Sequence, residues 1–205
     1  MNNMKNPKII SIIRDVEPEI VDLIVDVLLD EGINWVEVSL SNEELGLQCI
    51  KKLSEKHDFN ELKLGVGTVT NCDQVDKAID AGAKYIITPA WDTQLVRYVK
   101  SKDCTIIPGV FSPSDVMNAQ NEGINVCKLF PANLLGLDYI KSLKGPFPNM
   151  KFIAVGGIGV GNMLDFVDKR VIGYGVGGEL VPRGATIERI DEIRANARNF
   201  MKLLK

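Results

Sequence analysis

Lys128 lies in the run Val126-Cys127-Lys128-Leu129-Phe130-Pro131-Ala132, a short apolar stretch with β-branched and aromatic members that a proline stops. Such a run reads as a buried strand. An ammonium group without a partner is expensive to bury, so a lysine placed there invites a chemical explanation. Desolvation lowers a lysine's pKa and leaves part of it as free amine, a nucleophile toward carbonyl carbon. The plainer alternative is a lysine that caps the strand end and points to solvent. A second group changes the weighing. In Trp35-Val36-Glu37-Val38-Ser39-Leu40 the alternation sends Val36, Val38 and Leu40 to one face and Trp35, Glu37 and Ser39 to the other. One amine and one carboxylate on inward faces suit imine chemistry, in which the amine attacks and the carboxylate carries protons.

The elements that must position these two groups alternate along the whole chain. Lys8–Ile13 reads as a strand, followed by a helix from Pro18 to Asp30 with apolar residues at helical spacing; Pro18 suits its first turn and Gly32 the position past its end. Strands are expected at Asn34–Leu40, Leu62–Val66, Tyr85–Thr88, Thr105–Ile107, Val126–Phe130, Phe152–Val155 and Val171–Val176. Helical patterns separate them, with Asn42 as a cap and Asn71-Cys72-Asp73 and Ser112-Pro113-Ser114 as helix starts. The last three helices are expected near Leu137–Leu143, around Asn162–Val167 and over Ile187–Leu204. Strands that alternate with helices imply parallel pairing through crossovers. Eight units favour an α/β fold closed as a (β/α)8 TIM barrel, with an open doubly wound sheet as the alternative. No linker or composition shift divides residues 1–205, so a single domain is expected, with the residues before Lys8 over the barrel base.

In such a barrel the active site lies at the C-terminal strand ends. There this chain gathers Arg14, Glu37, Thr68, Pro89, Pro108-Gly109, Lys128 and two glycine pairs, Gly156-Gly157 and Gly177-Gly178. The second and sixth strands stand opposite each other, so Glu37 and Lys128 can face one another across the interior. A structural ion pair is the competing reading, yet such pairs often bring no gain in stability. The glycine pairs follow the seventh and eighth strands, the usual phosphate cradle of this fold. There, backbone N–H groups and a helix N-terminus can meet an anion.

Composition excludes several classes. A 205-residue chain of net charge -3, 45% hydrophobic and 25% charged, has no global attraction to nucleic acid or anionic membrane. Its apolar runs are broken by charges well short of a membrane span, and its first eight residues lack the apolar core of a signal peptide. The cytoplasm is therefore expected. Cys49, Cys72, Cys104 and Cys127 form no CxxC pair and His57 is the only histidine, in the polar stretch Glu55-Lys56-His57-Asp58, so metal ligation and histidine-based nucleophilic catalysis are disfavoured.

The motifs Trp35-Val36-Glu37-Val38-Ser39-Leu40, Gly65-Val66-Gly67-Thr68-Val69, Ile107-Pro108-Gly109-Val110, Lys128-Leu129-Phe130-Pro131-Ala132, Gly145-Pro146-Phe147-Pro148, Val155-Gly156-Gly157 and Val176-Gly177-Gly178 resemble, in order and over nearly the whole chain, the class I 2-keto-3-deoxy-6-phosphogluconate (KDPG) / 4-hydroxy-2-oxoglutarate (KHG) aldolases. The resemblance implies a lyase that needs no metal or organic cofactor. It would cleave a small-molecule 2-keto-3-deoxy acid to pyruvate and an aldehyde, and its members are usually homotrimers. It implies Lys128 as Schiff-base lysine and Glu37 as general acid/base. Thr68 and Arg14 would hold the pyruvyl carboxylate or neighbouring oxygens, Gly156, Gly157, Gly177 and Gly178 the distal phosphate, and Phe130 and Pro89 the pocket walls. The chain departs from the family pattern where Ser41 replaces a substrate-binding arginine, where Val155 precedes the first glycine pair, and where Gly178-Glu179 replaces a serine and a tryptophan. The first and last of these lean toward the galactonate-type branch. Two rivals stand beside this reading: a phosphate-binding barrel isomerase or synthase, which needs no Lys128, and a barrel that binds ligand without turnover.

Overall fold

The computed structural model describes residues 8–204; the segment expected over the barrel base lies outside them. The strands are β1 (Lys8–Ile13), β2 (Trp35–Ser39), β3 (Lys63–Gly67), β4 (Tyr85–Ile87), β5 (Thr105–Ile107), β6 (Gly109–Val110), β7 (Val126–Leu129), β8 (Lys151–Val155) and β9 (Val171–Val176). The helices are α1 (Pro18–Asp30), α2 (Glu43–Lys56), α3 (Cys72–Asp80), α4 (Thr93–Ser101), α5 (Pro113–Asn121), α6 (Ala132–Ser142) and α7 (Ile190–Lys202). All pairs are parallel, in the order β5-β4-β3-β2-β1-β9-β8-β7-β6. β5 and β6 are two halves of one chain run parted by Pro108, which has no N–H for the ladder. The Pro108 carbonyl instead accepts from Lys128 N–H at 2.9 Å, so the run closes the ring as an eight-staved (β/α) barrel. Nine strands thus replace the eight expected because proline interrupts one stave.

Local chemistry explains the helix starts. Asn42, Asn71 and Asp92 side chains accept from the backbone N–H three residues on, and Ser112 with Asp115 forms a capping box. Pro18 sits in the first turn of α1 and Gly32 is left-handed past its end, as the sequence predicts. Three expectations change. α6 begins at Ala132, earlier than predicted, with a break at Gly136, whose φ of 71° no helix holds. The segment around Asn162 makes only a single 3-10 turn, Met163–Phe166. The terminal segment starts as 3-10 over Ile187–Arg189 before α7.

Two apolar bodies carry the fold. The larger fills the space between sheet and helices, with Val36, Val38, Cys127 and Leu129 among its members. The smaller plugs the barrel bore with Ile10, Ile12, Tyr85, Ile87, Ile107, Val126, Ile153 and Val155. Each such aliphatic side chain contributes about 1.5–3 kcal/mol by burial. Arg170, a fully buried guanidinium, pairs with Asp168 through two nitrogens and donates to the Ile140 carbonyl at 2.6 Å, pinning the start of β9 to α6. His57, expected to be solvated, is only 4% exposed in its side chain and lies between Asp26 and Glu61.

Candidate active site

β7 alternates as predicted. Cys127 and Leu129 enter the helix-side core, and Val126 joins the bore cluster. Lys128 therefore points inward and is 5% exposed, its Nζ 5.0 Å from the centroid of the Phe130 ring. On β2, Val36 and Val38 pack outward and Glu37 is 1% exposed. β2 and β7 stand four staves apart in the ring of eight, which is diametrically opposite.

The chain makes room for the carboxylate. A Cβ at Gly67 of β3 would lie 1.6 Å from Glu37 Oε1, so that position has to be glycine while Glu37 points inward. Gly65, two residues earlier, does the same for the Tyr85 ring, where a Cβ would meet ring carbons at 2.2 Å. Glu37 Oε1 is buried and has no hydrogen-bond partner among the described residues. An unsatisfied buried oxygen costs about 1–3 kcal/mol, more if charged, and such exceptions need a reason.

Electrostatics set the two groups up as a pair. Burial pushes the Glu37 carboxyl up from its ordinary range; Lys128 and then Arg14 oppose that shift without cancelling it. Burial pulls the Lys128 amine down; Glu37 resists, and the Arg14 charge adds to the lowering. The attraction acts through space, with no hydrogen bond between them. The result is an amine that can lose its proton and a carboxyl that can hold one, across a common interior.

Beside this pair opens a cavity of about 330 Å³. Arg14, Phe130, Gly156, Gly157, Gly177 and Gly178 line it, joined by Val155 and Glu179. Six residues singled out in the sequence for substrate or phosphate thus share one cavity. Gly156 and Gly157 are left-handed, and a Cβ at Gly156 would sit 3.0 Å from the Phe130 ring. A Cβ at Gly177 would meet Arg14 Nη1 at 2.4 Å, so the guanidinium lies directly over that loop. The N–H groups of Gly157, Ile158 and Gly178 have no backbone acceptor among the described residues. The helix N-termini expected there are reduced: one loop enters the short 3-10 turn, and the other closes as a turn in which Leu180 and Val181 donate to the Gly177 carbonyl.

The remaining sequence candidates sit elsewhere on the mouth. Thr68 follows β3 in a left-handed conformation, φ 63°, and its Oγ1 is 2.9 Å from Ser39 Oγ. Ser41 is exposed, and its hydroxyl joins Ser39 and Asp15. Pro89 packs through its backbone against Gly109, the register partner of Lys128, rather than lining the cavity. Sequence reasoning missed Ser39 as a site hydroxyl. Its signal was present: it shares the inward face of β2 with Glu37.

The family comparisons agree with this geometry. A family model described as KDPG and KHG aldolase matches residues 1–195. The 2-dehydro-3-deoxy-phosphogluconate aldolase of Pseudomonas aeruginosa is 34% identical over 143 residues, 69% of this chain and 64% of that protein, so the match spans a little under two thirds of that relative. The 2-dehydro-3-deoxy-6-phosphogalactonate aldolase of Escherichia coli is 29% identical over 182 residues, 88% of each chain. The structure of the KDPG aldolase from Legionella pneumophila, with pyruvate captured as a covalent carbinolamine intermediate, superposes with a TM-score of 0.83. It is 28% identical, over 98% of this chain and 94% of that one. The fold, the motif order and the whole-chain match agree, and the chain belongs to the KDPG and KHG aldolase family.

Proposed function

We propose that this protein is a Schiff-base aldolase, a lyase that reversibly cleaves a 2-keto-3-deoxy acid to pyruvate and an aldehyde. The observation that carries the reading is the buried amine of Lys128 opposite a carboxyl whose Oε1 has no partner among the described residues. Neutral Lys128 attacks the C2 ketone to give a carbinolamine, and loss of water gives an iminium. Glu37 takes the proton of the C4 hydroxyl. The C3–C4 electron pair moves into the iminium, the aldehyde leaves, and an enamine of pyruvate remains. The same carboxyl returns its proton to C3, and water hydrolyses the imine to release pyruvate and the amine. One group serves as base and then acid, which suits a carboxyl raised by burial.

KDPG and 4-hydroxy-2-oxoglutarate are the first substrates to test, after the family's own description. The galactonate analogue is the second reading, favoured by the E. coli relative matched over 88% of the chain. In either case Arg14, whose guanidinium lies over Gly177, joins the amides of Gly156, Gly157, Gly177 and Gly178 at the distal end of the substrate, in place of the role beside Thr68 that the resemblance implied. Thr68 receives oxygens nearer the imine, and Phe130 forms a wall. Residues 1–205 act as one barrel domain in this reading, in the cytoplasm, where the four free thiols stay reduced. A homotrimer would cover Phe111 and Leu134, which are 56% and 78% exposed.

Pyruvate release from the three 2-keto acids, followed in parallel with borohydride reduction in the presence of pyruvate, tests the proposal. Release from at least one acid together with irreversible inactivation is expected. A barrel isomerase or synthase would survive borohydride, and an inactive binder would release no pyruvate; either result overturns the reading.

A further inference from the structure

The loop after β9 turns back over the end of β1. Gly184 N–H donates to the Arg14 carbonyl at 3.0 Å, and Ala185 N–H closes the turn on the Pro182 carbonyl at 3.1 Å. Gly184 is left-handed with φ 63°, and its Cβ position would lie 3.5 Å from the Asp15 carbonyl oxygen, so the turn rests on the β1 end. Arg183, at the tip, is tied a second time: its Nε donates to Asp15 Oδ2. Asp15 is itself left-handed, φ 53°, a conformation a non-glycine residue holds only when its surroundings demand it. Its other oxygen, Oδ1, accepts from the Ser41 hydroxyl at 3.4 Å.

From Ser41 the contacts run inward. Ser39 Oγ donates to Ser41 Oγ at 3.3 Å and accepts from Ser41 N–H at 3.2 Å. Thr68 Oγ1 lies 2.9 Å from Ser39 Oγ, and Thr68 is also left-handed. Three hydroxyls therefore form a cluster on the β2–β3 side of the mouth, flanked by two residues in unusual backbone conformations. Arg183 stands at its outer end, and no described residue accepts a hydrogen bond from its two terminal amino groups.

We infer that Arg183 is a positioning residue for the substrate carboxylate, its guanidinium held by Asp15 at the outer end of the Ser41–Ser39–Thr68 hydroxyl chain. The inference rests on the aldolase reading. A 2-keto acid joined to Lys128 through C2 sends its carboxylate and its tail in opposite directions. The tail enters the cavity between the glycine loops, and Arg14 lies over Gly177 on that side. The carboxylate is left facing the hydroxyl cluster, where the hydroxyls supply hydrogen bonds but no positive charge and Asp15 at the outer end is itself negative. Arg183 supplies the charge and a planar fork that matches a carboxylate.

Borohydride trapping of Lys128 at varied concentrations of pyruvate and of its uncharged methyl ester tests this in the full chain. The wild type should be half-saturated by pyruvate at a concentration at least about tenfold below that for the ester. In Arg183→Ala that preference should collapse toward unity, and Arg183→Lys, which keeps the charge, should retain part of it. Asp15→Asn should weaken the preference in the same direction. A wild-type preference that persists in Arg183→Ala overturns the inference. Failure of the wild type to be trapped by either compound overturns the aldolase reading itself, and this inference with it.

Discussion

Two polar groups inside the barrel are housed in the same way and treated oppositely. Tyr85 and Glu37 each lie over a glycine of β3, Gly65 and Gly67, where any side chain would collide with them. The Tyr85 hydroxyl is satisfied, donating to the Val36 carbonyl at 2.8 Å, and its ring packs on Trp35 at 5.2 Å between centroids. Glu37 Oε1, in the adjacent space, is left without a partner among the described residues and faces a lysine that is also buried. One glycine serves packing and the other serves chemistry. Stability alone would not retain an unpartnered carboxyl in a bore otherwise lined by isoleucine and valine.

The contrast can be broken from either side. The largest effect belongs to Lys128→Met: turnover and pyruvate trapping should vanish, because the nucleophile is removed while an apolar chain of similar size keeps the space filled. Pyruvate trapping that persists in this variant would show the nucleophile to be another amine. Glu37→Gln comes next. Steady-state cleavage should fall by about 10²–10⁴-fold, the range of general acid–base catalysis, with trapping by pyruvate still measurable. Normal turnover would remove the acid/base assignment.

The same variant carries a pH signature. Burial raises the folded-state pKa of Glu37 above its ordinary value of 4.5. The folded state therefore holds the proton more tightly, and the favourable contribution of protonated Glu37 is complete below that value. It is lost as pH rises through the folded-state pKa. Glu37→Gln should gain stability over the wild type above that range and lose the advantage in acid, as read from urea midpoints across pH. Gly67→Ala should cut activity by about tenfold or more by displacing the carboxylate, an effect of the size expected for a misplaced catalytic group. The smallest effect is on the packing side: Tyr85→Phe should cost about 0.5–1.5 kcal/mol in urea unfolding, for the hydrogen bond lost, with activity nearly unchanged.

Most of the architecture was legible because its signals are local. Strand alternation placed Glu37 and Lys128 on inward faces, and cap residues placed the helix starts. The period of the units then made those two strands opposite. What escaped was non-local or conformational. The strand break at Pro108 is a question of ladder partners, and a proline beside glycine reads equally as a strand end. The weak 3-10 turn at Met163–Phe166 carries apolar residues at helical spacing, yet it lacks the length to become a helix. The left-handed Asp15 and Thr68, and the fold-back that brings Arg183 to Asp15 across 168 positions, leave no mark in a local window.

Lys128 meets its substrate as an uncharged amine, and the pH dependence of borohydride trapping by pyruvate, with the labelled residue mapped by mass spectrometry, reads that state out. A single adduct on Lys128 is expected, its formation already near its plateau well below the ordinary lysine pKa of about 10.4. Labelling scattered over surface lysines, or a rate that climbs only as pH approaches that ordinary value, would contradict it.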